Sequence, residues 1–312
     1  DIYLGQIKKT SPQLNAAFVN VGYEKDGFLH YHDLGAHYNT FAYFVKQTMS
    51  AKVSKWSLAN IKSFPKIDKD GAIDDVLKRK ENILVQVSKE PISTKGPRLS
   101  SEISLAGRYV VLIPFSNRIS ISQKIRSQAE KDRLKKLIKS IIPPNFGMIV
   151  RTVAEGRKVA ELDSDLTALI NQWKIIHKKL RNAEPGTKIF GGISKLSSIL
   201  RDILNDTFSK IIVDDVTLYD ELKSYLKNNI PSKEKILSRY NGSQPIFDRF
   251  HIEKQIKSSF GKAVSMKKGS YLIIEHTEAM HVIDVNSGNR HIKETSQEEN
   301  AFQVNLQAAE EI

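Results

Sequence analysis

One pattern dominates the first hundred residues: short alternations of apolar and polar side chains, period two, broken by Gly, Asp and Asn. DIYLGQIKK, NAAFVNVG, GFLHYHDL, ILVQVSKEP and GPRLSSEISL each read as a strand, with YEKDG as a charged turn between the second and third. Successive strand side chains point to opposite faces, and five such short segments suit a small barrel. An OB fold is the commonest barrel of this kind that displays aromatics and bases to single-stranded nucleic acid, and its loops accept long insertions. Residues 35–80 read as one such insertion.

From residue 105 onward the periodicity changes. The apolar strand YVVLIPF precedes Ser127 and Glu130 in capping-box spacing, then Leu134, Leu137, Ile138 and Ile141 at helical intervals, stopped by Pro143 and Pro144. FGMIVRTVAEG reads as a buried strand ending in a turn, and apolar residues at 166, 169, 173, 176 and 180 predict a helix from Asp163 to Arg181. Helix, strand and helix follow around 193–205, 210–213 and 217–228, then a hairpin or meander through VSMKKGSYLIIEHTEAMHVIDVNSG and a helix from about Asn300. A chain of 312 residues has room for two or three domains of mixed α+β and α/β character. The apolar runs fall far short of the roughly 18 residues of a membrane span, so none is expected. The sequence has no Cys, which excludes disulfides, a thiol nucleophile and a Cys-ligated zinc ribbon within it, and a cytoplasmic setting is the expectation. Because the chain opens at Asp1 without Met, the native N-terminus is expected to lie outside it.

The formal net charge is +13, and it is not spread evenly. Residues 1–50 are neutral, 51–200 carry 29 basic residues against 14 acidic, and 201–312 are slightly acidic. A concentrated surplus is the footprint of a polyanion-binding face, with RNA, DNA and an anionic membrane surface all open on charge alone.

Three groups of residues could carry chemistry. Phe18 and Phe28 lie on neighbouring strand patterns, with Lys89 and Lys95 on and after a later one; they form either a base-stacking face or part of the barrel core. Arg151 and Thr152 close an apolar strand, where a guanidinium and a hydroxyl can grip a phosphate, or simply face solvent. In HVIDVNSG, Asp284 and Asn286 point to one face, offering hard oxygens to a hydrated Mg²⁺ or else capping a turn. His30, His32 and His37, and His276 with His281, lack HExxH spacing and Cys partners and make no zinc site; neither a P-loop nor a GxSxG elbow occurs.

Long stretches carry more than these local signals: NAAFVNVGYEKDGFLHY, KEPISTKGPRLSSEISLAGRYVVLIPF, GMIVRTVAEGR, QPIFDRFHIEKQIK and YLIIEHTEAMHVIDVNSGNR. Through them nearly the whole chain, in order, resembles the ribonuclease E/G family of bacterial endoribonucleases. The resemblance implies an OB-fold RNA-binding domain over 1–104 with its insertion at about 35–80, a 5′-end sensor over 105–190, an RNase H-like part over 191–260 and an incomplete DNase I-like catalytic domain over 261–312. It assigns RNA contacts to Phe18, Phe28, Lys89 and Lys95, a 5′-monophosphate pocket to Gly107, Val111, Arg151 and Thr152, and the catalytic metal site to Asp284, the metal ligand, with Asn286. The implied activity is Mg²⁺-dependent endonucleolytic cleavage of single-stranded RNA in RNA processing and mRNA decay, with preference for 5′-monophosphate ends. A non-catalytic RNA-binding module is the competing reading. The family's second metal-binding Asp, and a Cys-containing zinc link through which it oligomerises, are expected beyond Ile312, so a homo-oligomer is expected of the longer parent.

Overall fold

A ten-residue strand, β1 (Ile2–Ser11), buries its first half and exposes Lys8 and Lys9, and a left-handed Asn15 at φ 44° turns the chain into β2 (Ala16–Asn20). β3 (Gly27–His30), β4 (Asn82–Lys89) and β5 (Arg98–Ser100) complete a barrel in the order β1-β2-β3-β5-β4, with β4 closing back on β1 and only β3–β5 parallel. This is the expected five-stranded OB-like barrel. The structure is a computed structural model that describes residues 1–312 except Ser54, Ile193, Asp206 and 289–295, and omits the side chains of Lys195, Asn228 and Lys268.

The insertion between β3 and β4 is built onto the barrel. Its helix α1 (Tyr38–Met49) buries Tyr38, Phe41, Phe44, Val45 and Thr48, a stripe at helical spacing. The turn residue Asn15 pins the return path, accepting from the Ile73 N–H at 2.7 Å and donating to the Gly71 carbonyl at 3.0 Å, next to α2 (Ile73–Val76).

A second sheet follows, β6 (Leu105–Ala106), β7 (Val110–Pro114), β8 (Ile119–Ile121) and β9 (Phe146–Val150), in the order β6-β7-β9-β8. Ser127 caps α3 (Gln128–Ile141) as its spacing predicts, accepting from the Glu130 N–H. The other half of the capping box is diverted: the Glu130 carboxylate takes Arg133 and the Gly156 N–H instead. α4 (Val159–Leu180) starts four residues before the predicted Asp163, because Glu161 accepts from the Lys158 N–H at 3.0 Å and closes an earlier first turn. Trp173 of α4 is fully buried against Phe44, Phe115 and Phe146, and one apolar core runs from the barrel through this sheet. β10 (Thr187–Phe190) then returns to pair with the start of β1, and α5 (Lys195–Ile203) follows.

The chain forms two compact units, 1–205 and 206–312. In the second, β11 (Ile211–Val213), α6 (Val216–Asn229) and β12 (Leu237–Arg239) make a parallel βαβ unit, with Asp215 capping α6. α7 (Ile246–Arg249) and α8 (Ile252–Ser259) lead into an antiparallel meander of β13 (Ala263–Ser265), β14 (Tyr271–His276) and β15 (His281–Asn286). The last helix, α9 (Gln297–Glu311), starts three residues before the predicted Asn300 because Ser296 caps it. Among the described residues no helix is long and apolar enough to cross a membrane.

Candidate nucleic-acid interface and catalytic strand

Alternation on β2 and β3 sends Ala17, Val19 and Leu29 into the barrel and leaves Phe18, Phe28 and His30 half-buried on its outer face. Neither phenylalanine fills the core. They are direct cross-strand partners with ring centroids 6.0 Å apart at 73°, and Phe28 lies 6.5 Å from the His30 ring. The register extends this pair into a row that crosses all five strands. Lys9 of β1 opposes Phe18, Phe28 opposes Arg98 of β5, and Arg98 opposes Lys89 of β4. The register shifts at Ile7/Lys9 and at Val87/Lys89, so irregularities at both ends of the row coincide with its two lysines. The Lys9 ammonium sits 4.9 Å from the Phe18 ring, and Asp33 holds Arg98 through Nε at 3.1 Å and Nη2 at 2.9 Å. Lys95 is exposed just before β5, next to Gly96, where any Cβ would strike the Asp26 carbonyl; the close approach of the two backbones there requires glycine. Lys9 and Arg98 were not among the sequence candidates, because only the strand register aligns them with the aromatics.

The second cluster surrounds the loop from β6 to β7. Asp165, on the buried side of α4, accepts the backbone N–H groups of Arg108, Tyr109 and Val110 at 3.1, 2.8 and 3.1 Å. That clamp leaves no room for a side chain at Gly107, whose Cβ would meet the same carboxylate. The Gly107 carbonyl accepts from Arg151 Nη1 at 3.1 Å, and Thr152 Oγ1 shares a 2.8 Å hydrogen bond with Ser122 Oγ. Val111 lies half-buried on β7, out of phase with the fully buried Val110 and Leu112. Gly107, Arg151 and Thr152 thus gather at one end of the sheet. Arg151 Nη2 also holds the Asp202 carboxylate of α5 at 2.6 Å. Arg201 binds the same carboxylate through Nε at 2.9 Å and donates from Nη1 to the Ala106 carbonyl at 3.0 Å. Arg201 first, and Arg151 with it, hold the Asp202 carboxyl below the ordinary carboxylate range. Below them, Arg133 and the Gly156 N–H bring Glu130 down to about 2, bracing α3 against the loop after β9. Sequence reasoning missed Asp165, Arg201 and Asp202, which look like ordinary helix-surface charges until the helices are placed.

On β15, Asp284 and Asn286 share one face, and the Asn286 amide donates to Asp284 Oδ2 at 2.9 Å. That bond orients the carboxylate and leaves Asp284 Oδ1 and the Asn286 carbonyl oxygen as acceptors. Asp284 is exposed and pairs with Ile273, while Asn286 pairs with Tyr271. Among the described residues no three His, Cys, Asp or Glu side chains converge as a metal-binding group. The donor set, one carboxylate and one amide, fits a hard divalent cation that keeps most of its water.

A family model for the ribonuclease E/G family matches residues 104–312. The chain belongs to the ribonuclease E/G family. Among its relatives are ribonuclease G of Escherichia coli K12, 31 % identical over the whole chain, and ribonuclease G of Haemophilus influenzae, 33 % identical. Ribonuclease E of Nostoc sp. is 34 % identical, again across all of this chain. The chain spans about 60 % of the length of the ribonuclease G relatives and 42 % of the Nostoc ribonuclease E. In this ribonuclease E/G chain the barrel precedes the segment that the family model matches, whereas the Arg151 cluster and the β15 hairpin lie within it.

Proposed function

We propose that this chain is the RNA-binding and part of the catalytic portion of an endoribonuclease that hydrolyses single-stranded RNA with the aid of Mg²⁺ and favours 5′-monophosphate ends. The observation that carries the reading is the row Lys9–Phe18–Phe28–Arg98–Lys89: two half-exposed aromatic rings flanked by three cations suit unpaired bases and the phosphates between them. The second sheet serves as the 5′-end sensor, with Arg151 and Thr152 taking the terminal phosphate. In support, Arg151 already binds a carboxylate, and its planar fork suits phosphate equally well. A 5′-phosphate has to displace Asp202 or share the two guanidiniums with it.

In the catalytic step Asp284 and Asn286 would hold Mg²⁺, with the Asn286 amide keeping the carboxylate oriented. The ion supplies Lewis-acid activation of water and neutralises charge that builds on the phosphodiester. The barrel face contributes position, holding bases by stacking and backbone by charge so that one phosphodiester is presented at a time. We assign residues 191–260 to the RNase H-like part and 261–312 to the DNase I-like part of the same enzyme.

The test is cleavage and binding of a short A/U-rich RNA bearing a 5′-monophosphate or a 5′-hydroxyl, with and without Mg²⁺. Mg²⁺-dependent cuts, faster on the monophosphate, are expected; cleavage that EDTA does not reduce overturns the metal reading. That β15 brings one carboxylate, Asp284, and that no three His, Cys, Asp or Glu side chains converge among the described residues, favours a second reading, in which this chain alone binds RNA without cutting it. Tight binding without product in that assay selects it.

A further inference from the structure

The insertion between β3 and β4 carries a feature that neither the barrel row nor the Arg151 cluster uses. From Lys46 to Ile67 the chain has five lysines and no acidic residue. Part of this segment is strapped across α4 at three points. The Val53 backbone bonds the buried His177 ring, the Trp173 indole N–H donates to the Trp56 carbonyl at 3.0 Å, and the Lys174 ammonium lies 4.9 Å from the Trp56 ring. Asn145 adds a fourth tie, donating to the Leu58 carbonyl at 2.8 Å, and the Leu58 side chain is fully buried.

The stretch of α4 beneath the strap, and the turn after it, are also free of acid from Asn171 to Ala183, with Lys174, Lys178, Lys179 and Arg181 exposed. Lys52 and Lys55 directly precede Val53 and Trp56, the residues that touch His177, Trp173 and Lys174, and Lys178 stands one turn beyond Lys174 on the same helix. Among the described residues no carboxylate lies within 4 Å of any of these four ammoniums. Like charges gathered without counter-charges repel, and such a concentration attracts polyanions. A lipid-facing surface would present a row of large apolar side chains, whereas among the described residues of this stretch Ile175 alone of these is exposed.

We propose that the strap and α4 form a second RNA-contacting surface, which grips the phosphate backbone of a single strand outside the barrel through Lys52, Lys55, Lys174 and Lys178, with Trp56 among them. This rests on the RNA reading above. It divides RNA binding into a short-range site on the barrel and a charge-driven site on the insertion, so that long substrates gain affinity that short ones do not.

The test uses the full chain carrying Lys52→Gln, Lys55→Gln, Lys174→Gln and Lys178→Gln together, with 5′-labelled oligouridylates of about 8 and about 30 nucleotides, the shorter within the span of one OB fold. Binding is followed by anisotropy across a salt series. For the 30-mer, the slope of log affinity against log salt is expected to fall by about 2 to 3, at about 0.7 per lost phosphate contact, while 8-mer affinity stays within about twofold. An unchanged 30-mer slope, with an unchanged melting curve, overturns the proposal. The chain's two tryptophans both lie at this junction, so the 30-mer, and not the 8-mer, is expected to change emission, and Trp56→Phe is expected to abolish that change. Wild-type protein that binds neither oligonucleotide brings down the RNA reading itself, and this surface with it. Tighter binding to phosphatidylserine vesicles than to the 30-mer reassigns the surface to membranes.

Discussion

The barrel face and the β15 hairpin are two of the candidate working surfaces, and they are built in opposite ways. On the barrel, five strands each place one side chain in a single row, and the register irregularities at Lys9 and Lys89 fall at its ends. On the hairpin, Asp284 and Asn286 rely on each other, two residues apart on one exposed strand. Binding a strand by stacking and charge needs many modest contacts spread over a surface, which one small domain can supply. Holding a divalent cation needs several hard ligands converging on a point, and one strand supplies few of them. The first surface is therefore read as self-sufficient for affinity, the second as a contribution to a site.

The sharpest way to break this contrast is Asp284→Asn. Cleavage is expected to fall by more than about a hundredfold while RNA affinity stays within about twofold, measured as single-turnover rate and anisotropy on the same substrate. Comparable losses in both would make Asp284 a structural residue. Next in size is Phe18→Ala, which should weaken binding of a short single strand by about 1–3 kcal/mol with little loss of thermal stability, since the ring is half-exposed. If melting drops sharply instead, the ring belongs to the core. A smaller effect is expected of Asp202→Asn. Freed of a competing carboxylate, Arg151 and Arg201 should bind 5′-monophosphorylated RNA up to about fivefold tighter, with 5′-hydroxyl RNA unchanged, in line with the modest worth of an exposed ion pair. Equal tightening on both ends places the gain elsewhere.

The smallest expected effect is a pH dependence at the strap. Burial, above all, lowers the His177 pKa, so the unfolded chain binds a proton there more readily than the folded one. Stability contributed by keeping this ring neutral is present above about pH 6.5 and is lost as pH falls toward the lowered folded value. Melting temperature should decline from pH 7.5 to 5.5, and less so in His177→Gln. A parallel decline in the variant would assign the effect to other groups.

Much of this architecture was legible because it is local. Alternation marked the five barrel strands, Ser127 at capping distance marked the start of α3, and HVIDVNSG marked the strand that carries Asp284 and Asn286. What escaped was set by pairings distant in the chain. Arg98 gains meaning only opposite Phe28, seventy residues earlier, and Asp165 only where α4 crosses the loop before β7. Asp165 resembled one more polar residue near a helix start, yet it is the acceptor for three backbone donors. Charge counts located the basic middle of the chain but could not show that a strap carrying Lys52 and Lys55 crosses the stretch of α4 that carries Lys174 and Lys178.

One feature of the barrel bears on how the protein is made. The first residues of β1 are paired on both sides, with β4 along one edge and with β10, more than 180 residues later, along the other. Gln86 and Phe190 flank Ile2 together. A nascent chain can thread and close the five-stranded barrel early in synthesis, but the outer edge of its first strand stays open until residue 190 has left the ribosome. A barrel cut out at residue 104 would carry that bare edge permanently, a template for pairing with its own copies. Anyone transplanting this barrel has to take the distant strand with it.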